Sequence, residues 1–134
     1  MSDNIGTMKM QLTTSVEGGI VRAVAAGAFA LDEAKEQFVR LLDAVAEHQA
    51  VAVLFDGREL MGEPQAIERF FYGEFAAAAY ARHRVIHGLS TRFAYVLKEP
   101  VLDPRRYGES VAASQGMEVK AFDDIAVALA WLRA

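Results

Sequence analysis

Residues 50–57, AVAVLFDG, form a continuously apolar, valine-rich run that ends in an Asp-Gly pair. Such a run is typical of a strand that is covered on both faces, as in the centre of a parallel sheet. Apolar residues recur every three or four positions between Leu31 and Val45, which predicts an amphipathic helix before this strand. Pro64 suits the first turn of a second helix after it. A buried strand between two helices indicates an α/β fold.

The rest of the chain continues the alternation of strands and helices. Met8, Met10 and Leu12 alternate with polar residues and predict a first strand, which Gly18-Gly19 would join to a second one. The further predicted elements are strands at Ile20–Ala26, Arg92–Lys98 and Glu118–Phe122, a helix from 64 to 82, a helix capped by Asp103 and ended by Gly116, and a helix capped by Asp123 that covers Asp124–Arg133. The order ββαβαβαβα predicts a mixed sheet with a parallel centre and helices packed on it.

Composition narrows the class of protein. A chain of 134 residues with 53% hydrophobic residues fits one domain with its own core. A net charge of −4 argues against a nucleic-acid-binding protein, and the absence of cysteine excludes disulfides, thiol catalysis and cysteine-bound zinc. The polar start of the chain and the lack of a long uncharged apolar window predict a cytoplasmic protein without a membrane span.

The last stretch carries a resemblance to a known family. Phe122-Asp123 is followed by Ala128-Leu129-Ala130-Trp131-Leu132, and this ending, together with the element order, resembles the STAS family (sulfate transporter and anti-sigma-factor antagonist). The chain is most similar to the SpoIIAA-like branch of small bacterial proteins. The resemblance implies a single STAS-like domain over residues 1–134, and residues 1–7 are predicted to be a disordered tail.

The family resemblance draws attention to the loop after the central strand. In anti-sigma-factor antagonists that loop carries a phosphorylated serine at the start of a helix, whereas residues 57–64 here contain no hydroxyl side chain. A serine phosphorylation switch is therefore not expected. Glu63 lies about where the phosphoserine would be, either as a permanent mimic of its charge or as a first-turn acid favoured by the helix dipole.

A polar rim is predicted at the ends of the central strands, where open α/β sheets place ligands. The candidates in this rim are Asp56, Arg58, Glu59, Lys98, Arg105 and Arg106. Two arginines beside a helix N-terminus could hold a phosphate or a carboxylate. The competing interpretations are that Asp56-Gly57 only forms a turn and that the basic residues are solvated surface charges.

The second predicted helix is aromatic on more than one side. Four residues make the stripe predicted to face the sheet: Ile67, Phe71, Phe75 and Ala78. Three aromatic residues fall off that stripe: Phe70, Tyr72 and Tyr80. These residues could be additional core, a homodimer face, or the wall of a groove for an apolar ligand lined by Phe70, Phe71 and Phe75. Some SpoIIAA-like proteins are suspected of holding lipid-like molecules, so the resemblance adds weight to the third interpretation.

No catalytic motif is present in the sequence. His83 and His87 are four apart but lack the glutamate of a His-Glu-x-x-His zinc site, and the glycines match no nucleotide-binding loop. We therefore expect a non-enzymatic binding or signalling module without cofactor or metal. It would act through a homodimer or a protein partner, with a carrier of an apolar or lipid-like ligand as the alternative. An enzyme that used Asp56, Arg58 and Lys98 is a third hypothesis.

Overall fold

The computed structural model describes residues 9–134, which form five strands and four helices. In chain order these are β1 (Gln11–Glu17), β2 (Ile20–Ala28), α1 (Leu31–His48), β3 (Ala52–Met61), α2 (Ala66–His87), β4 (Arg92–Val96), α3 (Tyr107–Ser114), β5 (Glu118–Phe122) and α4 (Ile125–Arg133). The predicted disorder of residues 1–7 and the predicted place of Met8 in the first strand lie outside the described residues. The predicted element order is confirmed.

The strands form one sheet in the order β1-β2-β3-β4-β5. β1 runs antiparallel to β2, and the other neighbours are parallel, so the predicted mixed sheet with a parallel centre is confirmed. Gly18 and Gly19 make the turn between β1 and β2 with φ values of 59° and 80°. Two consecutive positive φ values match a hairpin turn that strongly favours glycine.

Helices cover both faces of the sheet. On one face, α1, α2 and α3 bury Phe38 and Leu41 against Val53 and Phe93 of the central strands. On the opposite face, α4 packs on β3, β4 and β5, where Leu54 and Val96 are fully buried. Full burial of one large apolar side chain contributes about 1.5–3 kcal/mol. β3 is therefore covered on both faces over its first half, as the apolar run predicts.

The only tryptophan of the chain belongs to the face covered by α4. The ring of Trp131 packs on Phe122, with 5.8 Å between ring centroids. The guanidinium carbon of Arg92 lies 4.9 Å from the centroid of the Trp131 ring, and Arg92 Nη1 donates a hydrogen bond of 2.8 Å to the Trp131 carbonyl. Trp131 thus fixes α4 to β4 and β5.

The central strand does not end at Asp56-Gly57 as predicted, so the competing interpretation of this pair as a turn is also wrong. β3 continues to Met61, and its register with β2 shifts so that Val24 pairs with Asp56 but Ala26 pairs with Glu59. This is a β-bulge around Gly57, and the continued strand pairs with β2 alone because β4 ends at Val96. A Cβ atom at residue 57 would lie 2.6 Å from the Leu97 side chain, which favours glycine in the bulge.

The predicted orientation of the second helix is also wrong. Ile67 and Phe71, which were expected to face the sheet, are 54% and 45% exposed. The buried residues of α2 are Gly73, Ala76, Ala77, Ala79, Tyr80 and His83. The helix buries small residues because its backbone lies very close to α3, where a Cβ atom at residue 73 would be 2.7 Å from the Gly108 carbonyl oxygen. The larger side chains of Ile67 and Phe71 are turned outward instead.

Several predicted element ends shift by a few residues. α3 begins at Tyr107 because Arg106 has a φ of 54°, and Asp103 caps the preceding turn by accepting hydrogen bonds from the Arg105 and Tyr107 amides. α2 begins at Ala66 and extends to His87, and β4 ends two residues before Lys98. The cap of α4 is Asp124 and not Asp123. Among residues 9–134, no helix is long and apolar enough to cross a membrane.

Candidate functional site

Asp56 and Arg58 form a closed pair on β3. Arg58 Nε donates to Asp56 Oδ1 at 2.9 Å, and Arg58 Nη2 donates to Asp56 Oδ2 at 2.8 Å. The side-chain hydrogen bond from Arg58 lowers the pKa of Asp56, and the carboxylate raises the pKa of Arg58 in turn. Both oxygens of this carboxylate already accept hydrogen bonds, so Asp56 is poorly suited to act as a general base. The neighbouring Glu59 is exposed.

A second polar group lies beside the start of α2, and Asp56 does not belong to it. This group belongs to a surface depression. The residues that line the depression include Glu63, Pro64, Arg69, Glu99, Pro100, Asp103, Pro104, Arg105 and Tyr107. Asp56 is on the side of the sheet that carries Leu54, since alternate residues of a strand share a face. The structure therefore divides the predicted rim into two parts that do not converge on one cleft.

Arg69 organises the depression, although no sequence motif marks it. Its side chain donates three hydrogen bonds to backbone carbonyls: to Pro64 at 3.1 Å, to Val101 at 2.7 Å and to Pro100 at 2.7 Å. These contacts join the start of α2 to the segment after β4. The one sequence signal was an arginine within a helix face of small and apolar residues. Its partners are distant in sequence, so that signal alone could not assign a role.

Of the three basic residues predicted to hold an anion, Arg106 is already engaged by other groups of the protein. Arg106 donates through Nη1 to the carbonyl of Ala121 in β5, and the same atom lies 3.7 Å from Glu109 Oε1. Arg105 and Lys98 are exposed, and within residues 9–134 their side chains form no hydrogen bond or ion pair. A built anion site is therefore not evident among these three residues.

Glu63 lies in the loop before α2 and not in its first turn. The helix begins three residues later, at Ala66, with a capping box in which Glu68 Oε1 accepts a hydrogen bond of 2.8 Å from the Gln65 amide. The first-turn acid is thus Glu68, and the expectation that Glu63 takes this position is wrong. Glu63 is exposed at the edge of the depression.

The outer face of α2 is a continuous exposed stripe along the helix. We use this name for Ile67, Phe71, Glu74, Ala78, Arg82 and Val85, all of which are exposed. Aromatic residues lie beside the stripe. Phe70 stacks on Tyr107 with 6.4 Å between centroids, and the ammonium of Lys35 lies 5.6 Å from the centre of the Phe75 ring.

The inner side of α2 contributes to a cavity of about 140 Å³. Its lining includes Gln37, Phe38, Phe55, Tyr72, Ala76 and Tyr95, and it does not include Phe70, Phe71 or Phe75. The hydroxyl groups of Tyr72 and Tyr95 are 2.7 Å apart. Gln37 is only 6% exposed, and its Oε1 atom has no hydrogen-bond partner in the described part of the chain. The charged residues Arg69, Asp103, Arg106 and Glu109 also belong to the lining, and Gln37 is a lining residue that carries an unused acceptor.

Burial keeps the two tyrosines protonated. It raises the pKa of Tyr72 to about 12 and raises the pKa of Tyr95 well above its ordinary value. Of two neutral hydroxyls at hydrogen-bond distance, one donates its hydrogen to the other. The hydrogen of the accepting hydroxyl therefore remains available to donate elsewhere. Tyr80 is different, because its hydroxyl accepts a hydrogen bond of 2.8 Å from the Thr91 amide within the core.

The hydroxyl pair of Tyr72 and Tyr95 gives a testable stability prediction. Replacing either residue alone by phenylalanine leaves the other hydroxyl buried without its partner, and we expect a loss of about 1–3 kcal/mol in the free energy of unfolding. The double variant removes both polar groups and should lose less than the sum of the single variants. Urea unfolding of all four proteins measures this difference, and strict additivity would contradict it.

His83 and His87 stack at the end of α2, with 4.6 Å between ring centroids. His83 is 6% exposed, and burial lowers its pKa, with a further contribution from the charge of His87. Low pKa favours the neutral imidazole. Residues 9–134 contain no group of three or more histidine, aspartate or glutamate side chains placed to hold a metal ion.

Comparison with known proteins identifies the fold. No family model matches the chain, and no curated protein matches it. An anti-sigma factor antagonist from Mycobacterium paratuberculosis superimposes with a TM-score of 0.58 at 13% identity, covering 94% of this chain and 96% of that one. An uncharacterized protein of the DUF3478 family from Shewanella loihica PV-4, which has a SpoIIAA-like fold, superimposes with a TM-score of 0.52 at 23% identity, covering 98% of each chain.

The chain has the SpoIIAA-like fold. The resemblance stated from the Ala-Leu-x-Trp-Leu ending and the element order is thereby confirmed at the level of fold.

Proposed function

We propose that this protein is a non-enzymatic binding module that acts by protein–protein contact through the outer face of α2. The observation that carries the proposal is the exposure of large apolar side chains on this helix. Ile67, Phe71, Val85 and Ile86 are 54%, 45%, 86% and 72% exposed. Several large apolar side chains exposed along one helix indicate an interaction site, whereas single exposed apolar residues are common on any protein surface.

Two further observations support a binding role over catalysis. Asp56 and Asp103 use their oxygens in local hydrogen bonds, and Arg69 and Arg106 are bound to backbone carbonyls. An active site would need titratable groups that converge on a cleft. The structural relative from Mycobacterium paratuberculosis is, by its name, an antagonist of another protein, which fits a signalling role. The absence of cysteine fits a reducing compartment, so a cytoplasmic location belongs to the proposal.

Site-specific photo-crosslinking tests the proposed surface. Benzoylphenylalanine at position 71 should yield a covalent adduct with a second protein chain in the cells that naturally express this protein. The matched control carries the same amino acid at Thr13, an exposed position on β1. Adducts of equal yield at both positions, or none at position 71, would refute the proposal.

A second candidate function, carriage of a small molecule, is favoured by the cavity beneath α2. An engineered apolar cavity of about 150 Å³ binds benzene. The present cavity of about 140 Å³ therefore suits a single aromatic ring better than a lipid chain. The free acceptor of Gln37 and the tyrosine hydroxyls favour a ring that carries a hydrogen-bond donor. This ligand class is narrower than the apolar or lipid-like ligand of the alternative interpretation, and it differs from the lipid-like molecules to which the family resemblance lends weight.

Thermal unfolding with phenol and with benzene tests the carrier function. Phenol at millimolar concentration should raise Tm more than benzene does, because only phenol can donate to Gln37 Oε1. The advantage of phenol should vanish in Gln37→Leu and persist in Gln11→Leu, where the glutamine is exposed. If neither compound shifts Tm, or if Gln37→Leu keeps the advantage, the carrier function is wrong.

A further inference from the structure

Five residues of the outer face of α2 are spaced evenly about Ala78. Starting at Ala78, Glu74 and Arg82 each lie four residues away, and Phe71 and Val85 each lie seven residues away. All five are exposed in one 22-residue helix. In an antiparallel pair of these helices with a two-fold axis at Ala78, mirrored positions face each other, so that Glu74 of one copy meets Arg82 of the other.

We infer that the partner of this surface is a second copy of the same chain, bound antiparallel with the two-fold axis at Ala78. The inference rests on the proposed function and names the partner of the proposed surface. In this arrangement Phe71 of each copy packs on Val85 of the other, and Ala78 meets Ala78.

Charge decides whether α2 of the partner copy runs parallel or antiparallel to α2 of the first copy. Neither Glu74 nor Arg82 forms an ion pair within residues 9–134, so both charges are available to a partner. An antiparallel partner places each Glu74 against Arg82 of the other copy and forms two ion pairs. A parallel partner would place Glu74 against Glu74 and Arg82 against Arg82, which is repulsive.

The size of the side chains fits the same arrangement. Ala78 at the centre, with the exposed Ala81 beside it, leaves room for two helix axes to approach to about 8–10 Å. The bulky Phe71 lies away from the centre, opposite the smaller Val85. Large residues thus face smaller ones on both sides of the axis, as interdigitating helices require.

Cysteine cross-linking tests the inference without background, because the chain contains no cysteine. Ala78→Cys should form a covalent dimer under mild oxidation. Phe71→Cys alone should not, since the two copies of position 71 would lie about 21 Å apart along the helix axis. A mixture of Phe71→Cys and Val85→Cys should cross-link. Cross-linking of Phe71→Cys to itself, or of the control Thr13→Cys as readily as Ala78→Cys, would overturn the antiparallel pairing.

Charge reversal provides a second, reversible readout by light scattering. Glu74→Arg and Arg82→Glu should each weaken self-association by roughly tenfold, because each change replaces two attractions by two repulsions. Mixing the two variants should restore association, because each then meets an opposite charge. Association of the single variants at wild-type strength would overturn the inference.

The inference and the proposed function fail in different ways. If the wild-type chain stays monomeric at all concentrations while benzoylphenylalanine at position 71 captures a different protein, the self-association is wrong and the proposed function stands. If the chain is monomeric and position 71 captures nothing, both are wrong.

Discussion

Gly73→Ala is expected to lower the free energy of unfolding by about 1–3 kcal/mol, the usual cost of overpacking a tight contact. The added Cβ would lie 2.7 Å from the Gly108 carbonyl oxygen and 3.2 Å from the Val111 Cβ. The nearest of these atoms belongs to the backbone of the segment that begins α3, so it cannot move aside as a flexible side chain would. α2 and α3 must therefore separate or lose hydrogen bonds.

Helix propensity alone predicts that Gly73→Ala raises the free energy of unfolding. The sign of the measured change therefore decides between the two effects. Alanine in place of glycine normally stabilises a helix interior by about 1 kcal/mol. The exposed Ala81 lies in the same helix, and Ala81→Gly gives the size of this intrinsic term here. Chemical denaturation of both variants measures the balance. A stabilising Gly73→Ala would show that the close contact between α2 and α3 does not exist.

Arg69→Met is expected to cost about 1.5–3 kcal/mol of unfolding free energy, the range for hydrogen bonds to a charged group. Methionine keeps much of the apolar stem and removes all three donors to the carbonyls of Pro64, Pro100 and Val101. Amide hydrogen exchange should accelerate between residues 98 and 103, because this segment loses its attachment to α2.

Arg105→Met is the matched control for this experiment. Arg105 lines the same depression, but within residues 9–134 its side chain makes no hydrogen bond. Its replacement should change stability by no more than about 0.5 kcal/mol and leave exchange in residues 98–103 unaltered. Equal effects of the two substitutions would mean that the depression depends on positive charge in general and not on the contacts of Arg69.

The sequence predicts the order of the strands and helices because periodicity is a local property. Phe38, Leu41 and Val45 recur at helical spacing on a single side of α1, and all are buried as expected. α2 carries apolar residues on every side, so its pattern does not determine its orientation. The helix turns Gly73 and Ala76 inward because close approach to α3 outweighs burial of Phe71, and this choice depends on Gly108, which is distant in sequence.

In the candidate site, too, neighbouring residues determine some features, and residues distant in sequence determine others. The pairing of Asp56 with Arg58 is within reach of sequence reasoning, since only Gly57 separates the two charges along one strand. The register shift that makes this stretch a bulge depends on pairing with β2, so the Asp-Gly pair by itself is compatible with a turn and does not reveal the bulge. Gln37 gives no sequence signal at all, because a glutamine on a helix becomes notable only when its oxygen is found buried without a partner.

The position of Trp131 has a practical consequence for spectroscopy. Its indole packs beneath Arg92 on the face of the sheet opposite α2, so its fluorescence emission reports the packing of α4 and is remote from events on the outer face of α2. Emission can therefore follow unfolding while a dye attached to α2 follows association. The tryptophan signal and the dye signal would thus come from opposite faces of one sheet.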